Sequence, residues 1–190
     1  MKKITFFKTV MLAAFVFCTN IMYGQTGTIT ITLESVGGSA VIGSNSYGGT
    51  GDSDRPERTW VQNGVTFGAK CITANPTNSP TGAAGNTLIQ AQASNGVIYN
   101  TTALPGKIVS ITLNQAGTPR TSSLKCGVTR LVTADEGDFN VAGTSIGTAN
   151  TDGWTSTDFA GTEFKFFAIK RGANAAYFSS IVIEYEIENS

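Results

Sequence analysis

The chain of 190 residues contains no histidine, and that absence decides most of the chemistry open to it. Ser-His-Asp and Cys-His mechanisms, His-bearing zinc sites and the usual proton shuttle near neutral pH all need an imidazole. Its cysteines, Cys18, Cys71 and Cys126, are too few for a zinc site made of four thiolates. No phosphate-binding loop, dinucleotide fingerprint or nucleophile elbow occurs. Carboxylates remain. Glu57, Asp135, Glu136, Asp138, Asp152, Asp158 and Glu163 form the pool from which two acids could flank a glycosidic bond, but no second sign of a reactive site accompanies them. A hard cation is the better use of these acids. GDSDRPE, with Asp52, Asp54 and Glu57, and ADEGDFN, with Asp135, Glu136, Asp138 and Asn140, each gather oxygen ligands around a turn, as calcium requires. Neither matches the complete calcium-loop motif, and Arg55 and Arg58 offer the first cluster ion pairing instead. Asp52, Asp54, Asp135 and Asp138 are thus candidate ligands of a structural calcium, with a solvated turn as the alternative. No cofactor is required.

Recognition of a sugar asks for a flat aromatic face flanked by planar hydrogen-bonding groups. Trp154 leads, because NTDGWTSTD is polar and glycine-rich and would present the indole near Asp152 and Asp158. Tyr47 in SNSYGGTGD is next. The alternative for Trp154 is that it opens a strand and caps the core, while Trp60 reads as structural. Arg130 runs in phase with Cys126, Val128 and Val132, so it either reaches a groove or pairs with a carboxylate. Lys170 and Arg171 read as an exposed pair in the turn before the last strand, belonging to a site or to an ordinary polar turn.

Strand parity also bears on the cysteines. If the segment Thr59 to Thr73 is one unbroken strand, Val61, Val65, Phe67 and Cys71 share a face, and Leu124, Cys126, Val128 and Val132 share another. Both sulfurs then point inward. A Cys71–Cys126 disulfide would be permitted by export and would stabilise the fold by about 4 kcal/mol. Two buried thiols filling the core are the alternative.

Export itself is written at the start. Lys2, Lys3 and Lys8 precede an apolar run from Val10 to Phe17 and a small-residue exit at Gly24, which together read as a signal peptide over residues 1–24. The apolar run is too short for a bilayer span, and Phe17 stands before Cys18 where a lipoprotein site wants a small residue. Residues 25–190 then form a single domain, secreted or held at the extracellular surface. Losing the three lysines leaves ten bases against thirteen acids, which argues against a nucleic-acid partner, since phosphates demand a basic stripe.

The elements that must position these residues are strands. In TITITL, Ile29, Ile31 and Leu33 alternate with threonines; after the Pro105-Gly106 turn, Val109, Ile111 and Leu113 alternate with Ser110 and Thr112. Ile181, Ile183, Tyr185 and Ile187 alternate with Val182, Glu184, Glu186 and Glu188, which places the glutamates on a solvent face. Further strands are expected over Thr59 to Thr73, Thr87 to Ala91, Ser123 to Thr133 and Glu163 to Lys170, with FKFFAI covered on both sides. No amphipathic helix of three turns is present. Short strands divided by Gly, Asn and Pro predict an all-β fold, a two-sheet antiparallel sandwich, with a closed barrel as the alternative.

WVQNGVTF (Trp60 to Phe67), LPGKIVSITL (Leu104 to Leu113) and FKFFAIKRGANAAYFSSIVIEYE (Phe164 to Glu186) resemble, in that order, the secreted jelly-roll modules of Bacteroidetes and some Gram-positive bacteria, which are similar to galactose-binding-like domains. The motifs are structural rather than catalytic. The resemblance implies a jelly-roll, galactose-binding-like sandwich and a surface- or glycan-binding role. The resulting expectation is a non-catalytic module that recognises a carbohydrate or cell-surface polymer through loops at one end of the sheets. The rival is a structural or self-associating matrix protein, pairing through an edge strand such as TITITL; a small carboxylate-dependent hydrolase is third.

Overall fold

Alternation produces strands here because each sheet has one face to bury, and the computed structural model shows where those faces meet; it describes residues 25–42, 57–93, 95–132 and 142–187. Two antiparallel sheets pack as a sandwich. The first contains β1 (Thr26–Ile31), β4 (Ile72–Ala74), β5 (Ile89–Ala91), β7 (Ile108–Gln115), β10 (Trp154–Ser156) and β12 (Ala176–Glu186). Its order is β10-β7-β12-β5-β4. The long β12 carries β7 along one edge, and β5 and β1 end to end along the other. The second sheet has the order β2-β3-β6-β11-β8-β9, built from β2 (Arg58–Gln62), β3 (Val65–Lys70), β6 (Val97–Asn100), β11 (Phe166–Arg171), β8 (Ser122–Gly127) and β9 (Thr144–Ala149). One short helix, α1 (Gly38–Ile42), follows β1. Among the described residues no helix is long and apolar enough to cross a membrane.

Ile29, Ile31, Leu113, Leu124, Phe67, Phe167, Ile181 and Ile183 fill the space between the sheets. Trp60 stacks on Phe67 at 5.5 Å between ring centroids, in the range favoured by offset rings. The apolar double face expected for FKFFAI is present. Phe167 and Ile169 point into this core, while Phe166 and Ala168 join Val97, Tyr99, Leu131 and Val132 in a second cluster on the outer face.

Three local departures from simple alternation shape the sandwich. The strand expected over Thr59 to Thr73 is broken twice. Asn63 and Gly64, at φ 51° and 77°, make a two-residue hairpin turn of the kind an Asn-Gly pair favours, and Cys71, at φ 52°, breaks the strand where the chain leaves one sheet for the other. Val61 is therefore 69 % exposed instead of facing inward with Val65. In β7 a register shift opposite Glu184 and Tyr185 turns Val109 out and Ile108 in. The hairpin tip also reaches the other sheet. Gln62 Nε2 and Asn63 Nδ2 donate to the carbonyls of Thr30 and Thr28 at 2.9 and 3.4 Å, occupying the edge of β1 that TITITL would otherwise offer to another chain.

No disulfide joins Cys71 and Cys126, both of which are buried. Cys71 directly follows β3, and β6 and β11 lie between β3 and β8. Three strand spacings amount to roughly 14 Å, well beyond the Cα separation of about 4.4–6.8 Å that a bridge tolerates. The expected bridge is replaced by two core thiols. Burial pushes the Cys126 thiol up to about 12, so almost none is thiolate near neutrality. A disulfide-exchange reagent at pH 8 is expected to leave Cys126 unmodified in the folded protein and to label it after unfolding; rapid labelling of the native Cys126 would contradict its placement.

Candidate functional site

At one end of the sandwich the chain passes repeatedly between sheets, through the connections that follow β5, β7, β9 and β11, the last three being residues 116–121, 150–153 and 172–175. The 116–121 connection is held by its surroundings. Ala116 N–H donates to the Tyr177 carbonyl at 2.9 Å, Arg120 N–H to Gln115 Oε1 at 2.8 Å, and Gly172 N–H to the Thr121 carbonyl at 3.1 Å. Gly117, at φ 73°, lies against Thr81, where a Cβ would stand 2.8 Å from the Thr81 Cα. The loop is thus fixed in place before any ligand arrives.

Two cavities open here. One of about 350 Å³ is lined by Pro119, Arg120, Thr121, Arg171, Gly172, Ala173 and Asn174. The other, about 150 Å³, is lined by Pro80, Thr81, Thr118, Arg120, Asn174, Ala175 and Tyr177. Arg120 and Asn174 form the wall common to both.

Arg171 is the unusual residue. It is the last residue of β11, paired with Ser122, and in phase with Phe167 and Ile169 it turns inward and is only 4 % exposed. The exposed turn expected at Lys170 and Arg171 is therefore corrected by one position: the strand still runs through Arg171. Its Nη1 donates to Ser122 Oγ at 3.3 Å, while its buried Nε–H has no partner among the described residues. The nearby Gln115 Nε2 is likewise buried without an acceptor. Burial first, and then the charge of Arg120, lower the Arg171 guanidinium to about 10, so it stays cationic at neutral pH. Among the described residues the ion pairs join other side chains, Lys107 to Glu186 at 3.4 Å and Arg130 to Glu57 at 3.9 Å. The larger cavity therefore has two arginines, Arg120 and Arg171, in its lining, an arrangement suited to binding an oxyanion.

The residues singled out for recognition fall in three places. Asp152 and Trp154 lie at this same end. Asp152 Oδ1 accepts the Gln115 N–H at 2.7 Å and so anchors the end of β7. Trp154 begins β10 at the sheet edge, half-buried, its ring 3.0 Å from where a Cβ on Gly147 of β9 would sit, so it seals the gap between the two sheets at that edge. Asp158 is exposed and follows β10 toward the opposite end, beside a depression lined by Lys107, Thr157 and Phe159. Arg130 sits on the outer face of the second sheet. Its Nε donates to the Val132 carbonyl at 2.6 Å, and it pairs with Glu57, whose Oε1 also accepts the Tyr99 hydroxyl. Tyr47, Asp52, Asp54, Asp135 and Asp138 lie outside the described residues. Among the described residues no group of three carboxylates or cysteines could hold a metal.

The Tyr99–Glu57–Arg130 group ties the segment after β8 to the sheet. Burial, reinforced by the hydrogen bond to Glu57 and its charge, raises the Tyr99 phenol well above the ordinary range, with Arg130 opposing. An acid raised in the folded state contributes stability that is complete below its unfolded pKa of about 10 and is lost as pH climbs toward the folded value. Alkaline absorbance titration is expected to show tyrosine signal that resists ionisation beyond about pH 11 and disappears in Tyr99→Phe; identical titration of the two proteins would contradict the contact.

No protein-family model and no curated protein sequence matches the chain.

Proposed function

We propose that the chain is a secreted, non-catalytic binding module of the jelly-roll, galactose-binding-like kind, recognising a carbohydrate or cell-surface polymer through the loops at the Arg171 end of the sandwich. The observation that carries this reading is the cavity pair around Arg120 and Asn174. It is concave, fixed by main-chain hydrogen bonds and lined by polar groups, and the larger lobe falls within the range of about 300–1,000 Å³ typical of ligand pockets. Occupation of the β1 edge by Gln62 and Asn63 speaks against the rival, a matrix subunit assembled through that strand.

A glycan array and polysaccharide pull-down on the purified protein, with and without calcium and with light scattering on the same sample, tests the reading. Saturable binding by a monomer is the expected result. Absence of binding, with particles that grow with concentration, would replace it with a self-associating subunit.

A further inference from the structure

We propose that the Arg120–Arg171 cavity recognises an oxyanion carried on the ligand, a carboxylate or sulfate group of an acidic polysaccharide. The proposal rests on the reading of the chain as a polymer-binding module and names its substrate class.

A neutral sugar is held chiefly by stacking on an exposed aromatic face, yet Tyr177 is 7 % exposed and Trp154 is committed to the gap between the sheets. What the cavity supplies instead is charge. Arg171 is buried, is anchored on one side by Ser122, keeps its Nε–H unpartnered, and lies close enough to Arg120 for the two charges to oppose each other. A buried guanidinium without a carboxylate is costly to the fold. An oxyanion in the cavity that Arg120 and Arg171 both line would relieve the repulsion between them, and a guanidinium's planar fork matches carboxylate and sulfate oxygens. The space argues for a group attached to something larger. The two lobes exceed an inorganic ion in volume, and Thr118, Asn174 and Pro80 line the remainder, able to meet hydroxyls and a sugar face.

Matched polymers separate the sources of charge. Polygalacturonate is compared with its fully methyl-esterified form, dextran sulfate with dextran, and sodium sulfate stands for the free ion, all by calorimetric titration of the purified protein. The charged polymers are expected to bind, their neutral counterparts to fail, and affinity to fall as salt rises. Arg120→Gln, on the half-buried loop, should weaken binding by about tenfold or more, and Arg171→Met should abolish it, with circular dichroism confirming that each variant is folded. Equal binding of charged and neutral forms, or unchanged binding by Arg120→Gln, would overturn the oxyanion proposal while leaving the module reading in place. Binding of sodium sulfate but of neither charged polymer would overturn the attachment to a polysaccharide. No binding by any polymer, charged or neutral, in this titration or on the glycan array would remove both.

Discussion

Arg171→Met is expected to be more stable than the natural protein when no ligand is present, by about 1–2 kcal/mol. Methionine follows much of the path of the arginine stem, in phase with Phe167 and Ile169, and removes a buried charge held, among the described residues, by the 3.3 Å contact to Ser122. Replacing a poorly compensated buried ion by an apolar side chain of similar volume commonly stabilises, whereas removing one member of a satisfied pair destabilises by several kcal/mol. Urea midpoints of the two proteins decide between these. A loss of about 3 kcal/mol would mean that Arg171 is held by a partner that keeps the fold together. The difference also has a pH signature. The folded guanidinium, lowered to about 10, releases its proton at a lower pH than the unfolded one does. Above the folded value the unfolded state binds more protons, so the natural protein gains stability as pH rises and the advantage of Arg171→Met narrows above pH 10. Stability lost for the sake of a binding group is the usual trade at functional positions.

Asn100→Ala is expected to cost about 3 kcal/mol. Asn100 ends β6, is 1 % exposed, and satisfies three main-chain groups at once. Its Oδ1 accepts the Phe167 N–H at 2.8 Å, and its Nδ2 donates to the carbonyls of Thr102 and Lys165, each at 2.8 Å. Alanine would strand these groups where water has little access, and a buried unsatisfied group costs about 1–3 kcal/mol. The same amide sets where β11 begins, hence the register that carries Arg171 to the cavity. A lower urea midpoint with an unchanged denaturant slope is the expected observation; a loss below about 1 kcal/mol would show that the strand ends are fixed by other contacts.

The sequence was most legible where one face of a strand meets water. Ile29, Ile31, Ile181, Ile183 and Tyr185 are buried as their alternation requires, and Glu184 and Glu186 lie on the outer face, engaged with Ser110 and Lys107. It was less legible where neither face does. Val97–Asn100 is buried at every position, so β6 has no alternation to read, and the Asn63-Gly64 hairpin was hidden by treating the flanking residues as one strand, which also misplaced Val61 and Cys71. The candidate site was missed for a related reason. Arg171 and Gln115 are polar residues at inward positions, in phase with Phe167 and Ile169 and with Ile111 and Leu113. That phase was visible, but beside Lys170 and before Gly172 a turn was the simpler reading. Trp154 and Asp152 lie together at one end while Asp158 does not, and the roles the first two show, sealing the sheets and anchoring the end of β7, are structural.

The measurement that bears most directly on the binding account is an amide NMR titration of the isotopically labelled protein with polygalacturonate fragments or, as the sulfated probe, dextran sulfate fragments. The account predicts that shifts concentrate in residues 116–122 and 171–177, including the Arg171 Nε–H resonance, and that Arg171→Met removes them. Shifts confined to another surface, such as the Arg130 face or the depression near Asp158, or no shifts with either polymer, would contradict it.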